Sequence, residues 1–360
     1  MRFGTPRNRF SWHNNFDKPY GTLARASNSS LEKATIQMIP TSEKYRHILV
    51  ANDFSEYSEA ALKQAIWLAR KHGAQLTIVH VHPSIRNLML SASMQARLDF
   101  LYGDGEKFQK EVREKSHARM QEQVSALQAD DLKVSFRTLI GEPFQELTHA
   151  VLEQECDLVV SGSRGLKAWE NFLLGSTAKH LIRSCPASVW IVKHEMPCPP
   201  RRILAPTDFS EVSLKAVRQG FQLAKEAQAE FHLLHVIDSM DIPEEFISQY
   251  PEGASFQQEM NKESNHQLQA LRDSISPDDQ SIQIHSTWGT PWKEIKRIEQ
   301  EIAADTISLG TVGRSGIKGV LLGNTAEKVL SVCHCSIITT KPDDYISPIQ
   351  SAFWELSPKS

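Results

Sequence analysis

The chain contains itself twice, and that repetition leaves few folds open. Arg46-His47-Ile48-Leu49-Val50-Ala51-Asn52-Asp53-Phe54-Ser55-Glu56 returns 155 positions later as Arg201-Arg202-Ile203-Leu204-Ala205-Pro206-Thr207-Asp208-Phe209-Ser210-Glu211. His80-Val81 returns at the same spacing as His235-Val236. Gly141-Glu142-Pro143 and Leu173-Leu174-Gly175-Ser176-Thr177-Ala178 return 148 positions later, as Gly289-Thr290-Pro291 and Leu321-Leu322-Gly323-Asn324-Thr325-Ala326. The first copy thus carries seven extra residues between Val81 and Gly141. Copies of this length are whole domains, because solenoid units repeat every 20–50 residues.

The spacing predicts an N-terminal extension over 1–42, domains over 43–194 and 200–341, a linker over 195–199, and a C-terminal tail over 342–360. The linker, Glu195-Met196-Pro197-Cys198-Pro199, is proline-rich and should be stiff and extended. At five residues it keeps the copies close enough to pack on each other. The extension has Arg2, Arg7, Arg9, Lys18, Arg25 and Lys33 against Asp17 and Glu32, with no compact apolar stretch. That composition argues against a secretory signal and reads as a disordered tail, with an organelle-targeting presequence as the alternative.

Within each copy, short apolar runs alternate with amphipathic segments. Ile48–Ala51 is a strand, and Ser55 is a good N-cap for an alanine-rich helix ending near His72-Gly73. Leu76–Val81 is the next strand. Phe108, Val112, Met120, Val124 and Leu127 mark one face of a long charged helix. Strands around Val134–Thr138, Leu158–Ser161 and Ser188–Val192 follow, separated by helices around Phe144–Val151 and Thr177–Arg183. Strands joined through helices imply right-handed crossovers and a parallel sheet. The expected fold is therefore two tandem, doubly wound, five-stranded α/β domains of Rossmann-like type.

Composition narrows the function classes. Lys+Arg is 40 and Asp+Glu is 43, so no global positive field draws the chain to nucleic acid or an anionic membrane. No apolar run approaches the 18 residues of a membrane span. Five cysteines are too few, and odd in number, for a disulfide framework, and a reducing cytoplasm fits better.

Doubly wound sheets bind ligands beyond the carboxyl ends of the strands, where strand order reverses. Two features should fall there. One is Asp53, with Asp208 in the second copy. The other is the loop after the fourth strand, Gly162-x2-Gly165-x9-Gly175-Ser176, repeated as Gly310-x2-Gly313-x9-Gly323-Asn324. A backbone whose N–H groups converge on a phosphate must turn tightly and cannot carry Cβ atoms at the contact points. The third glycine should open a helix at Thr177 or Thr325, offering free N–H groups and a positive dipole end to an anion. Arg164 and Lys167, and Arg314 and Lys318, could complement phosphate charge. About 0.04 such glycine triplets are expected by chance in a chain of this composition, and two occur in register with the repeat. The competing reading is that the glycines only shape turns and helix entry. Asp53 and Asp208 have a competing role too, fixing the loop before Ser55 and Ser210.

Pro206-Thr207-Asp208-Phe209-Ser210, His235-Val236 and the spaced glycines together resemble the universal stress protein family, and the duplication resembles its tandem-domain bacterial members. The resemblance covers 43–341. It implies the adenine nucleotide alpha hydrolase-like version of the fold, with the copies packed as a pseudo-dimer through Ser188–Val192 and Ser336–Thr340. In the family's ATP-binding members the acidic residue ending the first strand lines the adenosine pocket. A valine of the second strand contacts adenine through its backbone, and the glycine loop holds ribose and phosphates. This points to Asp53, Val81, Gly162, Gly165, Gly175, Ser176 and Thr177 in the first copy. In the second it points to Pro206, Thr207, Asp208, Val236, Gly310, Gly313, Gly323, Asn324 and Thr325. Ala51-Asn52 departs from the proline and small hydroxyl residue of the pattern, and Asn324 from its serine or threonine.

The implied ligand is ATP, with or without Mg2+, in a nucleotide-binding regulatory or protective protein of the stress response. The alternatives are a non-nucleotide interaction protein of the same fold, and a binder of a larger nucleotide-derived metabolite. Pairing of the two domains within one chain is expected, and further homodimerisation is left open. No catalytic residue stands out. There is no G-x-x-x-x-G-K-[ST] loop and no G-x-S-x-G elbow, although slow ATP hydrolysis is compatible with the sequence. His80 and His235 read as packed core residues rather than catalytic ones. Cys333-His334-Cys335 lacks the second ligand pair of a zinc site. Trp169, Trp190, Trp288 and Trp292 suit core or turn packing better than base stacking.

Overall fold

The structure, a computed structural model, describes residues 44–82, 106–165, 174–238, 253–277, 281–313 and 322–349. The first repeat runs β1 (His47–Ala51), α1 (Glu56–His72), β2 (Gln75–His82), α2 (Glu106–Ala126), β3 (Val134–Ile140), α3 (Pro143–Gln154), β4 (Leu158–Gly162), α4 (Ser176–Ser184) and β5 (Ser188–Val192). The second runs β6 (Arg202–Thr207), α5 (Glu211–Ala227), β7 (Glu230–Asp238), α6 (Gly253–Ile275), β8 (Gln283–Gly289), α7 (Pro291–Glu301), β9 (Thr306–Gly310), α8 (Asn324–Val332) and β10 (Ser336–Thr340). The helices begin and end where the sequence provides caps. Ser55 Oγ accepts from Ser58 N at the start of α1, with Glu56 and Glu59 in the first turn and Arg70, Lys71 and His72 in the last. Gly73 closes α1 in the left-handed region, at φ 67°. Ser210 caps α5 in the same way.

Strand order is β3-β2-β1-β4-β5-β10-β9-β6-β7-β8. Every neighbouring pair within a repeat is parallel, as the helical crossovers require. Between repeats, β5 and β10 pair antiparallel, with Ile191 opposite Ile337, Trp190 opposite Ile338 and Val189 opposite Thr339. Each repeat's last strand is therefore covered by the other, and the two sheets become one.

Side chains alternate across this ten-stranded sheet and build one core on each face. Ile48, Val50, Ile78, Trp190, Ala205, Leu233 and Ile338 face α1, α2, α5 and α6. Leu49, Val159, Ile191, Leu204, Ile307 and Ile337 face α3, α4, α7 and α8. β1 and β4 are covered on both sides, which explains their near-continuous apolar runs. Trp190 is fully buried in the first core.

The segment after β10, expected from sequence as part of a tail, is docked as far as it is described. Tyr345 Oη donates to Arg183 O, and Ser347 Oγ donates to Ser184 O at 2.6 Å. Lys341 Nζ donates to Ile182 O at 2.6 Å. These donors satisfy carbonyls that the end of α4 leaves open.

Helix α5 lies so close to β9 that a Cβ on Gly220 would sit 2.7 Å from Ser308 Cβ and 3.3 Å from the Phe231 ring. The corresponding position in α1 is Ala65. Gly220→Ala should cost about 1–3 kcal/mol by overpacking, read as a lower urea midpoint at unchanged slope.

His232 on β7 and His285 on β8 share a hydrogen bond, Nδ1 to Nε2 at 3.0 Å. Burial lowers both pKa values. For His232 the neighbouring His285 adds to the lowering and Glu230 opposes it; for His285, Glu301 opposes and Arg297 adds. An unfolded histidine titrates near about 6.5, so between that pH and the lower folded values the unfolded chain binds more protons. The neutral pair's stabilisation is therefore complete above about 6.5 and is lost as pH falls through the folded values. His232→Thr, which installs the residue of the corresponding first-repeat position Thr77, should flatten the fall in Tm between about pH 7 and pH 5. Parallel falls for variant and wild type would refute this.

Candidate functional site

Strand order reverses between β1 and β4, and again between β6 and β9. Each reversal opens a crevice beyond the strands' carboxyl ends. Because β5 and β10 are antiparallel, the two crevices open on opposite edges of the sheet. The register brings the sequence-derived residues together. Ala51 pairs with Val79 and with Ser161, which sets Asp53 level with Val81 and Asn52 level with Gly162. Thr207 pairs with His235, which sets Asp208 level with Val236.

The loop after the first strand has the same geometry in both repeats. Asp53 Oδ1 accepts from Ser55 N at 3.1 Å and from Ser55 Oγ at 2.5 Å. Asp208 Oδ1 accepts from Ser210 N at 3.0 Å and Oγ at 2.6 Å. Phe54 and Phe209 sit in the left-handed region, with φ 66° and 61°, a costly conformation for a bulky residue. Hydrogen bonds hold them there. Phe54 N donates to Asn52 Oδ1 at 2.9 Å, and Phe209 N to Thr207 Oγ1 at 2.9 Å. Ser58 Oγ also donates to Asn52 Oδ1, while Ser213 Oγ lies 3.0 Å from Thr207 Oγ1. Asn52 thus performs both tasks of the hydroxyl residue it replaces. Its amide has a further use, donating to Gln123 Oε1 of α2 at 2.7 Å.

His80 and His235 belong to this loop support. Their Nδ1 atoms lie 2.8 Å from Asn52 O and Thr207 O, and their rings pack 4.6 Å from Phe54 and Phe209. Burial lowers the His80 pKa, opposed by the hydrogen bond to Asn52 O. The left-handed phenylalanine and its histidine support escaped the sequence reading. The repeated Asp-Phe-Ser with a histidine in the neighbouring strand was the available signal.

The glycines divide into two kinds. A Cβ at Gly162 would meet Tyr57 backbone at 2.7 Å, and one at Gly310 would meet Ser213 N at 3.2 Å. A Cβ at Gly165 or Gly313 would lie 2.5 or 2.6 Å from Asp53 Oδ2 or Asp208 Oδ2. Backbone packing accounts for the first two, and at the second two an added Cβ would crowd the aspartate carboxylate. Gly175 and Gly323 differ: both have φ −71°, which any residue adopts, and a Cβ would meet nothing nearer than 3.5 and 3.4 Å. Each is the N-cap of a helix, α4 or α8, and donates its own N–H to Ser163 O or Thr311 O at 2.7 Å. Glycine has no side chain with which to cap, and among the described residues no side-chain cap is present at either helix start. Ser176 and Asn324 are exposed, and Thr177 and Thr325 half-buried.

Val81 and Val236 are half-buried against the second core, and Pro206 is buried within β6. The Arg164 guanidinium lies over the Tyr57 ring at 5.7 Å. Lys167, Trp169, Leu173, Arg314, Lys318 and Leu321 lie outside the described residues. Trp190 belongs to the core, and Trp288 Nε1 donates to Asn261 Oδ1 at 2.6 Å. Cys185 and Cys333 end α4 and α8, where burial pushes their thiols up to about 11 and about 12. Among the described residues, no three His, Cys, Asp or Glu side chains group as metal ligands, and no helix is long and apolar enough to cross a membrane.

The profile of the universal stress protein family matches residues 44–193 and again 200–341. Universal stress protein E of Salmonella typhi is 25% identical over 322 residues, covering 85% of this chain and 97% of that protein. Universal stress protein MJ0531 of Methanocaldococcus jannaschii is 30% identical over 145 residues, covering 39% of this chain and 82% of that protein. The crystal structure of a universal stress protein from Archaeoglobus fulgidus shares the fold, with a TM-score of 0.56 at 21% identity, covering 82% of this chain and 98% of that one. With two matched copies spanning most of its length, the chain belongs to the universal stress protein family.

Proposed function

We propose that each repeat is a binding module for an adenine nucleotide, ATP with or without Mg2+, serving a regulatory or protective role in the stress response. One observation carries the reading. Among the described residues Gly175 and Gly323 have no conformational or packing need to be glycine, yet both repeats place glycine, rather than serine, threonine or aspartate, at the cap position. A bare helix start behind a tight glycine turn suits a phosphate, whose oxygens take the open N–H groups and complement the dipole. Asp53 and Asp208 would receive the nucleoside, with Val81 and Val236 offering backbone to the base. Gly162, Gly165 and Gly175, and Gly310, Gly313 and Gly323, would cradle the ribose and phosphates. Ser176 and Thr177, and Asn324 and Thr325, would add hydrogen bonds, and Pro206 and Thr207 would line the second crevice. When bound, the nucleotide supplies the anion that these N–H groups lack.

Binding rather than turnover fits the local chemistry. Asp53 Oδ1 is engaged by Ser55 and His80 Nδ1 by Asn52 O, so these groups already hold the loop. We place the protein in the cytoplasm, consistent with its cysteine use.

Mass spectrometry of material released from freshly purified, denatured protein should find adenine nucleotide. Saturating ATP–Mg2+, at about 100 times Kd, should add about 2.7 kcal/mol of stability per site. Gly165→Val and Gly313→Val should each remove one of two calorimetric sites, because the new side chain meets the Asp carboxylate. No released nucleotide together with no thermal shift would overturn the reading. Normal two-site binding by the double variant would overturn the site assignment.

A further inference from the structure

The seam between the repeats is not symmetric, and its differences sit where charges and hydrogen-bond donors meet. The side chain of His72, at the end of α1, is 2% exposed. Its Nδ1 accepts from Tyr45 N at 2.8 Å, so Nε2 carries the proton and faces Glu226 Oε2 of α5 at 2.8 Å. On the other face, Arg183 of α4 pairs with Glu327 of α8. Tyr345 and Ser347, beyond the second repeat, donate to the last carbonyls of α4.

The 155- and 148-residue spacings say what would replace these partners if a first repeat met a copy of itself in the same geometry. Lys71 stands in the place of Glu226, and Lys179 in the place of Glu327. His72 Nε2–H would then face an ammonium, donor against donor, and Arg183 would face a second cation. By two-fold symmetry each clash would occur twice. Pro197 and Pro199 stand where Tyr345 and Ser347 stand in the second repeat, and neither has a side-chain donor. A pair of second repeats escapes the repulsion but loses the attraction. Ala227 would face Glu226, and Ser331 would face Glu327.

We propose that the seam is a heterologous recognition surface: the exposed edge of each repeat is built to accept the other repeat and to reject a copy of the first. The geometry of the β5–β10 ladder alone cannot do this, since backbone pairing is blind to which repeat supplies the strand. Attraction in the mixed pair and repulsion in the self-pair together give the discrimination.

Full-length variants test it directly. Glu226→Lys with Glu327→Lys gives the second repeat the residues of the first, while Glu226→Ala with Glu327→Ala only deletes the attraction. The lysine pair should have the lower urea midpoint, and the gap should narrow at about 0.5 M NaCl, where screening shortens. Helix electrostatics work against the expected drop at position 226, where the end of α5 favours a cation, and with it at position 327, in the first turn of α8, so Glu226→Lys against Glu226→Ala alone must show the same order. Equal midpoints would overturn the proposal, whereas a lysine pair too unstable to fold beside a folded alanine pair supports it. A second measurement inserts a protease site within 195–199, cuts the folded chain, refolds it from urea and weighs the products by native mass spectrometry. Mixed pairs exceeding first-repeat self-pairs at least about tenfold are expected. Comparable amounts would overturn the proposal, and if the pieces fail to reassemble the full-length comparison decides.

Discussion

Antiparallel pairing of β5 with β10 is the contact on which the remaining architecture depends. A five-stranded parallel sheet ends in an edge whose N–H and C=O groups point at solvent, and each repeat has such an edge at its last strand. Pairing the two removes both edges and joins four small cores, two per repeat, into two long ones. Trp190 and Ile338 lie in one of these, Ile191 and Ile337 in the other. The reversal of direction at the seam also sends the two crevices to opposite edges of the sheet, so neither can share a ligand with the other.

Lys341 shows how closely the seam is built. It follows β10 directly, is 4% exposed, and gives its ammonium to the end of α4 in the other repeat. Burial lowers its pKa to about 8, partly offset by Cys185. The ring of Tyr345 lies 4.0 Å from the nitrogen and shields it further. A cation at the carbonyl end of α4 complements the negative end of the same dipole whose positive end opens at Gly175. One short helix therefore links the seam to the first crevice.

Duplication has preserved geometry more faithfully than residues. Asn52 and Thr207 differ in chemistry and length, yet each accepts the N–H of a left-handed phenylalanine and engages a serine one helical turn into the next helix. What looks in sequence like a damaged motif in the first repeat is an intact loop. The glycines make the complementary point. Gly162 and Gly310 lie against backbone, Gly165 and Gly313 against a carboxylate side chain, and Gly175 and Gly323 make only ordinary contacts. Only that contrast separates glycine as packing from glycine as an open helix start.

Much of the fold was legible in sequence because it rests on local rules. The repeat gave the number of copies, Ser55 and Ser210 the helix starts, and the alternation of strands and helices the parallel sheet. The carboxyl-end position of Asp53 and the glycine loop followed from the doubly wound topology. Contacts between residues far apart in the chain were not legible. Nothing in local sequence says that His72 meets Glu226, that Lys341 reaches Ile182 O, or that Ser347 seals α4. Nor does it say that a Cβ at Gly165 would crowd a carboxylate while one at Gly175 would make only ordinary contacts. Sequence determined the repeated unit, because periodicity and capping act within a few residues. Tertiary structure decided how the units join and which helix starts stay open, because those depend on atoms brought together only by folding.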